Sequence, residues 1–174
     1  MKTKLFFLAI LFSLFTGVNA QKFGYVDTDY ILGQMTEYKA AQKQLNELSQ
    51  KWEADLQIMR DEVDKMYKDY KAEEILLSPS QKKEREDAIV AKEDAMKQFE
   101  QDKFGVNGEL FKKRQELIKP IQDKVFAAIQ RVAKNNGLDF IFDKSANMNI
   151  LFSNPKYDRS DDVLDELGVT QTEK

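Results

Sequence analysis

Residues 38–70 carry one narrow apolar stripe on an otherwise polar, charged segment. Apolar side chains recur at steps of three or four over more than four heptads: Tyr38, Ala41, Leu45, Leu48, Trp52, Leu56, Met59, Val63, Met66 and Tyr70. Most of the remaining positions are Lys, Glu, Asp or Gln. This pattern predicts a long helix that buries one face against a second helix, as in a coiled coil. Spanning residues 37–74, the helix would be about 55 Å long at 1.5 Å per residue.

A turn and a second helix are predicted after the stripe ends. Ser78 is a favourable N-cap, Pro79 suits the first helical position, and Gln81 completes a capping box. The returning helix must bury its own stripe, so the two helices form an antiparallel hairpin over residues 37–132 with its tip near residues 75–81. Its apolar positions are Ile89, Met96, Phe99, Val106, Leu110, Leu117, Ile121, Val125, Ala128 and Val132.

The return helix is expected to be weaker and more flexible than the outgoing one. Charged residues occupy three positions where apolar ones are expected: Lys92, Lys103 and Arg114. The sequence GVNG at residues 105–108 lowers helix propensity midway. Pro120 removes a helical hydrogen bond and is expected to bend the segment.

The segments that flank the hairpin have β character. Three short stretches rich in aromatic and aliphatic residues predict strands: residues 22–27, 139–143 and 150–153. Asp27 or Thr28 can cap a helix after the first strand, and Gly137 follows Asn135-Asn136 as a helix stop. A turn is expected at residues 145–147 and a final helix at residues 161–167. The predicted fold class is therefore α+β, mostly α, with a long helical hairpin projecting from a small β body.

The predicted strands hold more apolar surface than one small sheet can cover. Nine side chains need burial on both faces of the sheet: Phe23, Tyr25, Val26, Phe140, Ile141, Phe142, Ile150, Leu151 and Phe152. We therefore expect these residues to drive oligomerisation, so that residues 21–36 and 133–174 of several copies form a shared body. The alternative is a monomer whose terminal helix covers the sheet.

The first twenty residues have the pattern of an export signal. Lys2 and Lys4 precede an apolar run, and small residues lead to a cleavage position after about Ala20. The segment is too short and wrongly flanked for a membrane span. The mature chain would then work outside the cytoplasm. Without the two lysines it has 25 basic and 30 acidic residues, a net charge of −5, which gives no electrostatic case for binding nucleic acid.

The sequence lacks the residues that the common catalytic and cofactor-binding sites require. The chain contains no cysteine and no histidine, so ordinary nucleophile–base pairs, zinc sites and disulfides are not expected. Glycine-rich phosphate loops are also missing. Carboxylate pairs such as Glu73-Glu74 are typical of a solvated helix face rather than of a hydrolytic site. We expect no catalytic residues, no cofactor and no metal, and a hydrolase is the least favoured function.

The remaining candidate for function is the surface at the hairpin tip. Ile75, Leu76 and Leu77 lie where few partners can cover them, so they either form an interaction site or plug the hairpin. Tyr67 and Tyr70 either pack in the helical seam, the favoured interpretation, or face a client. Lys82, Lys83 and Arg85 form a basic cluster beside the turn, which alone is more typical of a solvated helix start.

The sequence resembles the Skp/OmpH family of periplasmic chaperones at both ends. The matching segments are FGYVD at 23–27, YIL at 30–32, EYKAA at 37–41, GLDFIFDK at 137–144, NILF at 149–152 and DDVLDELG at 161–168. The resemblance implies a jellyfish-shaped trimer with a β-rich body and three helical hairpins around a cavity. It also implies a holdase that keeps unfolded outer-membrane β-barrel proteins soluble without ATP.

The net charge departs from the pattern of that family. Its best-known members are strongly basic, a property linked to acidic clients and to lipopolysaccharide, whereas this chain is acidic. Only a weak contact with membrane or lipopolysaccharide is therefore expected. Lys65, Lys68 and Lys71 could join the basic cluster to preserve a basic tip. The alternative function is a structural or tethering coiled coil of the cell envelope that binds a folded partner or a membrane surface.

Overall fold

The computed structural model describes residues 21–145 and 150–169. The predicted export signal and part of the predicted 145–147 turn lie outside the described residues. The described chain divides into two compact units. The body unit comprises residues 21–34 and the described part of 125–169, and the arm unit comprises residues 35–124.

Two parallel strands, distant in sequence, form the sheet of the body unit. Strand β1 (Phe23–Val26) pairs with β2 (Phe140–Asp143), with Phe23 opposite Phe140 and Val26 opposite Asp143. The other edge of β1 makes a single parallel bridge to Asp158. Both strands were predicted close to these bounds, and they bring the two ends of the described chain together.

The prediction of a third strand at residues 150–153 is wrong. No strand is assigned there, and a short 3-10 helix (Pro155–Tyr157) follows. The Asn154 side chain accepts a hydrogen bond from the backbone N–H of Lys156 at 3.1 Å, and Pro155 has no N–H to donate to a sheet. This local turn brings Asp158, rather than the 150–153 segment, to the free edge of β1.

Two short helices complete a core within the body unit. Helix α1 (Thr28–Gln34) is capped by Asp27, whose carboxylate accepts a hydrogen bond from the N–H of Tyr30 at 3.0 Å. Helices α1 and α5 (Ser160–Glu166) pack together. The largest fully buried side chains are Val26, Ile31, Val163 and Leu164. Side chains of β1, α1 and α5 are thus buried within a single chain.

Asp143 ties the end of β2 to the start of α1. Its carboxylate accepts hydrogen bonds from the Thr28 hydroxyl at 2.7 Å and the Thr28 N–H at 3.2 Å. The Ser145 N–H and hydroxyl donate at 3.0 and 2.8 Å. Partial burial alone would raise the pKa of Asp143, but the hydrogen bonds from Thr28 and Ser145 outweigh it and lower the pKa below its usual value.

The arm unit is built on helix α2 (Thr36–Glu73), which has 38 residues and a length of about 57 Å. The predicted stripe is confirmed, because six of its ten members are buried and the other four are half-buried. The buried members are Ala41, Leu45, Trp52, Leu56, Val63 and Tyr70. The stripe therefore forms the seam of this helix.

Cross-helix contacts establish an antiparallel hairpin between α2 and α3 (Pro79–Phe104). The Trp52 and Phe104 rings meet edge to face, with centroids 6.2 Å apart. Three ion pairs follow at increasing positions along α2: Arg60–Glu100 at 3.5 Å, Glu62–Lys92 at 2.5 Å and Glu73–Arg85 at 3.3 Å. Such exposed pairs add little stability, but partners that descend along α3 establish the antiparallel order.

The predicted turn and capping box are confirmed. Helix α2 ends at Glu73, and α3 begins at Pro79 with Ser78 as its N-cap. The Ser78 hydroxyl accepts from the N–H of Gln81 at 3.4 Å, while the Gln81 side chain accepts from the N–H of Ser78 at 3.0 Å. The two residues satisfy donors that would otherwise be unpaired at the start of the helix.

The return segment is two helices rather than one weakened helix. A loop at residues 105–108 separates α3 from α4 (Glu109–Asn136), which continues through Pro120. Asn107 has φ 64°, a left-handed conformation that Asn tolerates better than most residues. Val106, predicted in the seam, is 98% exposed in this loop, and Ile118 is buried where Leu117 was expected.

The structure shows how Lys103, one of the charged residues at an expected apolar position, is accommodated. Its ammonium lies 5.1 Å from the centroid of the Trp52 ring and 3.0 Å from a Glu109 carboxylate oxygen across the loop. The aliphatic stem can pack while the charge is satisfied by the ring and the carboxylate. Lys92 likewise pairs with Glu62. Both lysines therefore suit the seam edge.

We expect Asp143→Asn to destabilise the body unit in a pH-dependent manner. Because the folded pKa is lowered, the contribution of the ionised carboxylate is complete above its usual pKa and is lost as pH falls through the lower folded value. At pH 7 the free energy of unfolding of the variant should be lower by about 1–3 kcal/mol. This difference in stability from the wild type should shrink below pH ~4. Hydrogen exchange of the amides in residues 23–26 measures this, with the exposed Asp165→Asn as control.

We expect Gly105→Ala to destabilise the arm unit, because a Cβ there would lie 2.4 Å from the Gln101 carbonyl oxygen. The backbone must shift, at a cost of about 1–3 kcal/mol. Urea unfolding followed by the fluorescence of Trp52, the single tryptophan, reports this. Gly33→Ala, where nothing lies within 4 Å of the added Cβ, should be neutral or stabilising. Equal stability of the Gly105 variant and wild type would contradict the loop geometry.

Candidate functional site

The hairpin turn presents uncovered aliphatic side chains. Ile75 is 94% exposed and Leu76 is 85% exposed, whereas Leu77 is half-buried. The first two therefore cover nothing in the described chain, so they do not plug the hairpin. Side chains of this size cost free energy when exposed to water, and their exposure at a helix turn is typical of a contact surface.

A cleft of about 270 Å³ lies beside the turn, between α2 and α3. Its lining residues combine aromatic and aliphatic groups with three carboxylates and one lysine: Tyr67, Tyr70, Lys71, Glu74, Glu86, Ile89, Val90 and Glu93. Ile89 and Tyr70 are buried, whereas Tyr67 and Val90 are about half exposed. The cleft therefore has an apolar floor, accessible apolar sides and a charged edge.

The two tip tyrosines have different surroundings. The Tyr70 ring packs in the seam as predicted, and its hydroxyl donates a hydrogen bond to Glu86. That bond, followed by burial and nearby charges, raises the pKa of Tyr70 to about 12, so the phenol is protonated at neutral pH. The favoured placement of Tyr67 in the seam is wrong, because its ring is 49% exposed and remains accessible from solvent.

The basic residues near the turn are largely paired with acidic ones. Four of the six lie within ion-pair distance of a carboxylate: Lys65–Asp69 at 3.1 Å, Lys71–Glu74 at 3.0 Å, Lys83–Asp87 at 2.8 Å and Arg85–Glu73 at 3.3 Å. Lys82 and Lys68 have no such partner within the described part of the chain. Residues 62–93 carry nine acidic and seven basic side chains, so this region is not a net basic patch.

The proposed oligomerisation residues fall into three groups in the body unit. Tyr25 and Val26 are buried in the core of their own chain, which leaves little of their surface for a partner. Ile141 and Ile150 are half-buried. The other five expose much of their surface: Phe23, Phe140, Phe142, Leu151 and Phe152. The exposed group therefore supplies the candidate assembly surface.

Aromatic rings on the sheet reinforce that surface. Phe140 and Phe142 lie on the same strand, with ring centroids 6.5 Å apart and planes inclined by 18°. Phe23 packs against Tyr157 at 5.0 Å. Among the described residues β2 pairs only with β1, so its outer edge can accept another strand.

Sequence reasoning missed a second arm cleft, at the loop between α3 and α4. It has a volume of about 480 Å³ and is lined by Phe104, Gly105, Val106, Asn107, Leu110, Phe111 and Arg114. Phe111 is 46% exposed and does not belong to the predicted stripe. Its position outside the stripe was the available signal, since an aromatic residue there cannot enter the seam.

Other functional features are limited within the described ranges 21–145 and 150–169. No helix there is both long enough and apolar enough to cross a bilayer. No group of three or more potential ligand side chains converges as a metal site in that part of the chain.

The fold is similar to that of an OmpH-like protein from Caulobacter crescentus that has been proposed as an outer membrane chaperone. The TM-score is 0.66 at 20% sequence identity, and the alignment covers 91% of this chain and 92% of that one. No curated protein sequence matches. The family model described as Outer membrane protein (OmpH-like) matches residues 22–167, and the chain belongs to this OmpH-like family.

Proposed function

We propose that the protein is an ATP-independent holdase chaperone of the periplasm. It would bind unfolded outer-membrane β-barrel proteins in a cavity between helical arms and prevent their aggregation until membrane insertion. Family membership supports the link to outer membrane proteins. The predicted export signal at residues 1–20 supports the location.

One observation carries the proposal: the arm unit exposes large apolar side chains at separate positions. These are Ile58, Tyr67, Ile75, Leu76, Val90, Val106 and Phe111. The seam uses other residues, so these side chains are not needed to hold the hairpin together. An unfolded chain could contact several of them at once, and many weak contacts hold a client while leaving each contact easy to release.

A cavity requires more than one arm, so the proposal includes assembly of the body units, as a trimer. The exposed aromatic residues of β1 and β2 and the open β2 edge support this step. The similarity to the Skp/OmpH family suggests the number three. Burying these rings between copies would provide the hydrophobic free energy that a two-stranded sheet lacks by itself.

Because the chain is acidic overall, it has no general electrostatic attraction for acidic clients, and the proposal relies on apolar contacts instead. The mature chain would have a net charge of −5, and most basic residues near the turn are already paired with carboxylates. Contact with lipopolysaccharide or an anionic membrane would therefore be weak. Client holding should persist at high salt, where long-range charge effects are screened.

We expect the double variant Ile75→Ser with Leu76→Ser to have weaker holdase activity while the hairpin stays folded. Both side chains are almost fully exposed, so the hairpin should keep its stability within about 0.5 kcal/mol. Removing two apolar contacts should weaken client binding by about tenfold. Light scattering of a urea-diluted outer-membrane β-barrel protein, titrated with each variant, measures the effect.

The matched control is Ala88→Ser with Ala91→Ser, which adds hydroxyls at exposed positions of the same arm without removing a large apolar group. It should suppress aggregation as the wild type does. If the wild type binds one folded envelope protein and ignores several unrelated unfolded barrels, the tethering alternative replaces the holdase proposal.

We expect wild-type protein to sediment as a trimer and Phe142→Ser to shift the equilibrium towards monomer. Phe142 is 42% exposed in the single chain, so the substitution should affect assembly more than the chain's own core. Sedimentation equilibrium at micromolar concentration, with circular dichroism to verify helix content, separates the two effects. The exposed Gln130→Ser serves as control, and a wild-type monomer would refute the assembly step.

A further inference from the structure

We propose that the arm-tip cleft binds an arginine side chain within an extended apolar segment of the client. This inference rests on the proposed holdase function and specifies the client chemistry that one of its surfaces selects. The occupant is one residue of an unfolded polypeptide, with its aliphatic stem on the cleft floor and its guanidinium at the acidic edge.

The size of the cleft suits a side chain rather than a larger ligand. Its volume of about 270 Å³ is below the roughly 300–1,000 Å³ typical of small-molecule sites. It lies between two helices of the same hairpin, and an extended client segment can lie across the opening while one residue enters. The buried Ile89 and the half-exposed Val90 provide apolar contact for the methylene stem of arginine.

The charge of the cleft favours a cation. Three carboxylates and one ammonium line it, and the ammonium, on Lys71, is paired with Glu74 at 3.0 Å. The Glu86 carboxylate accepts from the Tyr70 hydroxyl, which carries no charge. Glu93 is only loosely paired, 3.9 Å from the Lys97 ammonium. Glu86 and Glu93 therefore leave uncompensated negative charge beside an apolar floor.

The aromatic rings of the cleft add a second preference for cations. The Lys71 ammonium already lies 5.7 Å from the centroid of the Tyr70 ring, so a ring at this site holds a cation within the chain. The neighbouring Tyr67 ring is half exposed and can receive another. A planar guanidinium can stack on that ring and donate to carboxylates at the same time, which an ammonium does less well.

The direct test uses three fluorescent twelve-residue peptides of alternating leucine and serine, with arginine, citrulline or glutamate at the centre. Citrulline keeps the shape of arginine without the charge. Fluorescence anisotropy with the full mature protein should rank affinity as arginine, then citrulline, then glutamate. The difference between arginine and citrulline should be about three- to tenfold and should decrease between about 50 and about 500 mM salt.

Variants locate the preference in the cleft. Glu86→Gln with Glu93→Gln should remove most of the arginine preference, while the amide oxygen introduced at position 86 can still accept the Tyr70 hydrogen bond and keep the seam intact. Tyr67→Leu should reduce binding of the arginine peptide more than of the citrulline peptide, because it keeps apolar area but removes the ring. The matched control, Glu47→Gln with Glu53→Gln, removes the same charge from exposed positions of α2 about 20 Å or more from Tyr67 and should retain the preference.

Two outcomes would overturn the inference: equal binding of the arginine and citrulline peptides, including no binding of either, or equal loss of preference in both double variants. Aggregation suppression of an unfolded barrel is measured in parallel on the same proteins. Suppression without an arginine preference would reject the cleft assignment and leave the holdase proposal intact. Failure of the wild-type protein to suppress aggregation would reject the holdase proposal itself.

Discussion

The arm depends on the burial of one narrow apolar stripe along α2, which packs over part of its length against α3. Six stripe residues of α2 are buried, and the cross-helix ion pairs lie at the edges of the seam. The hairpin can therefore form without its other apolar side chains. Ile58, Ile75 and Val90 remain exposed because no further helix within the described part of the arm unit covers them.

Mixed charge keeps this exposure compatible with solubility. About a third of the residues are charged, and many pair along or across the helices at short range. The exposed apolar groups are thus separated by polar surface rather than joined in one large patch, the arrangement that would favour aggregation. Separate apolar contacts also limit the affinity of each one, so strong holding must come from many contacts made together.

Local rules predicted most of the fold. The stripe, the capping box at Ser78 and both paired strands follow from spacing and turn chemistry. The 150–153 strand failed because Asn154 and Pro155 favour a local turn that apolar composition does not reveal. The prediction that Val106 lies in the seam was wrong because the helix ends before this residue. A new helix then begins with a different phase, so Ile118 is buried in place of Leu117. The spacing of the stripe separates Tyr70, which belongs to it, from Tyr67, which does not. The cleft between α2 and α3 could not be located from spacing alone, because its position depends on the antiparallel register of the two helices.

The two sets of exposed apolar residues differ in ways that match different tasks. In the body unit they are mainly aromatic, concentrated on strands and the segment after β2, and adjoin an open strand edge. Backbone pairing at that edge is directional and requires a partner with fixed geometry, so it suits a permanent copy of the same chain. In the arm unit the exposed groups are mainly aliphatic and are distributed over the helices, the hairpin turn and the 105–108 loop. Such contacts impose little geometry on a partner, which is the property that binding many unfolded sequences requires.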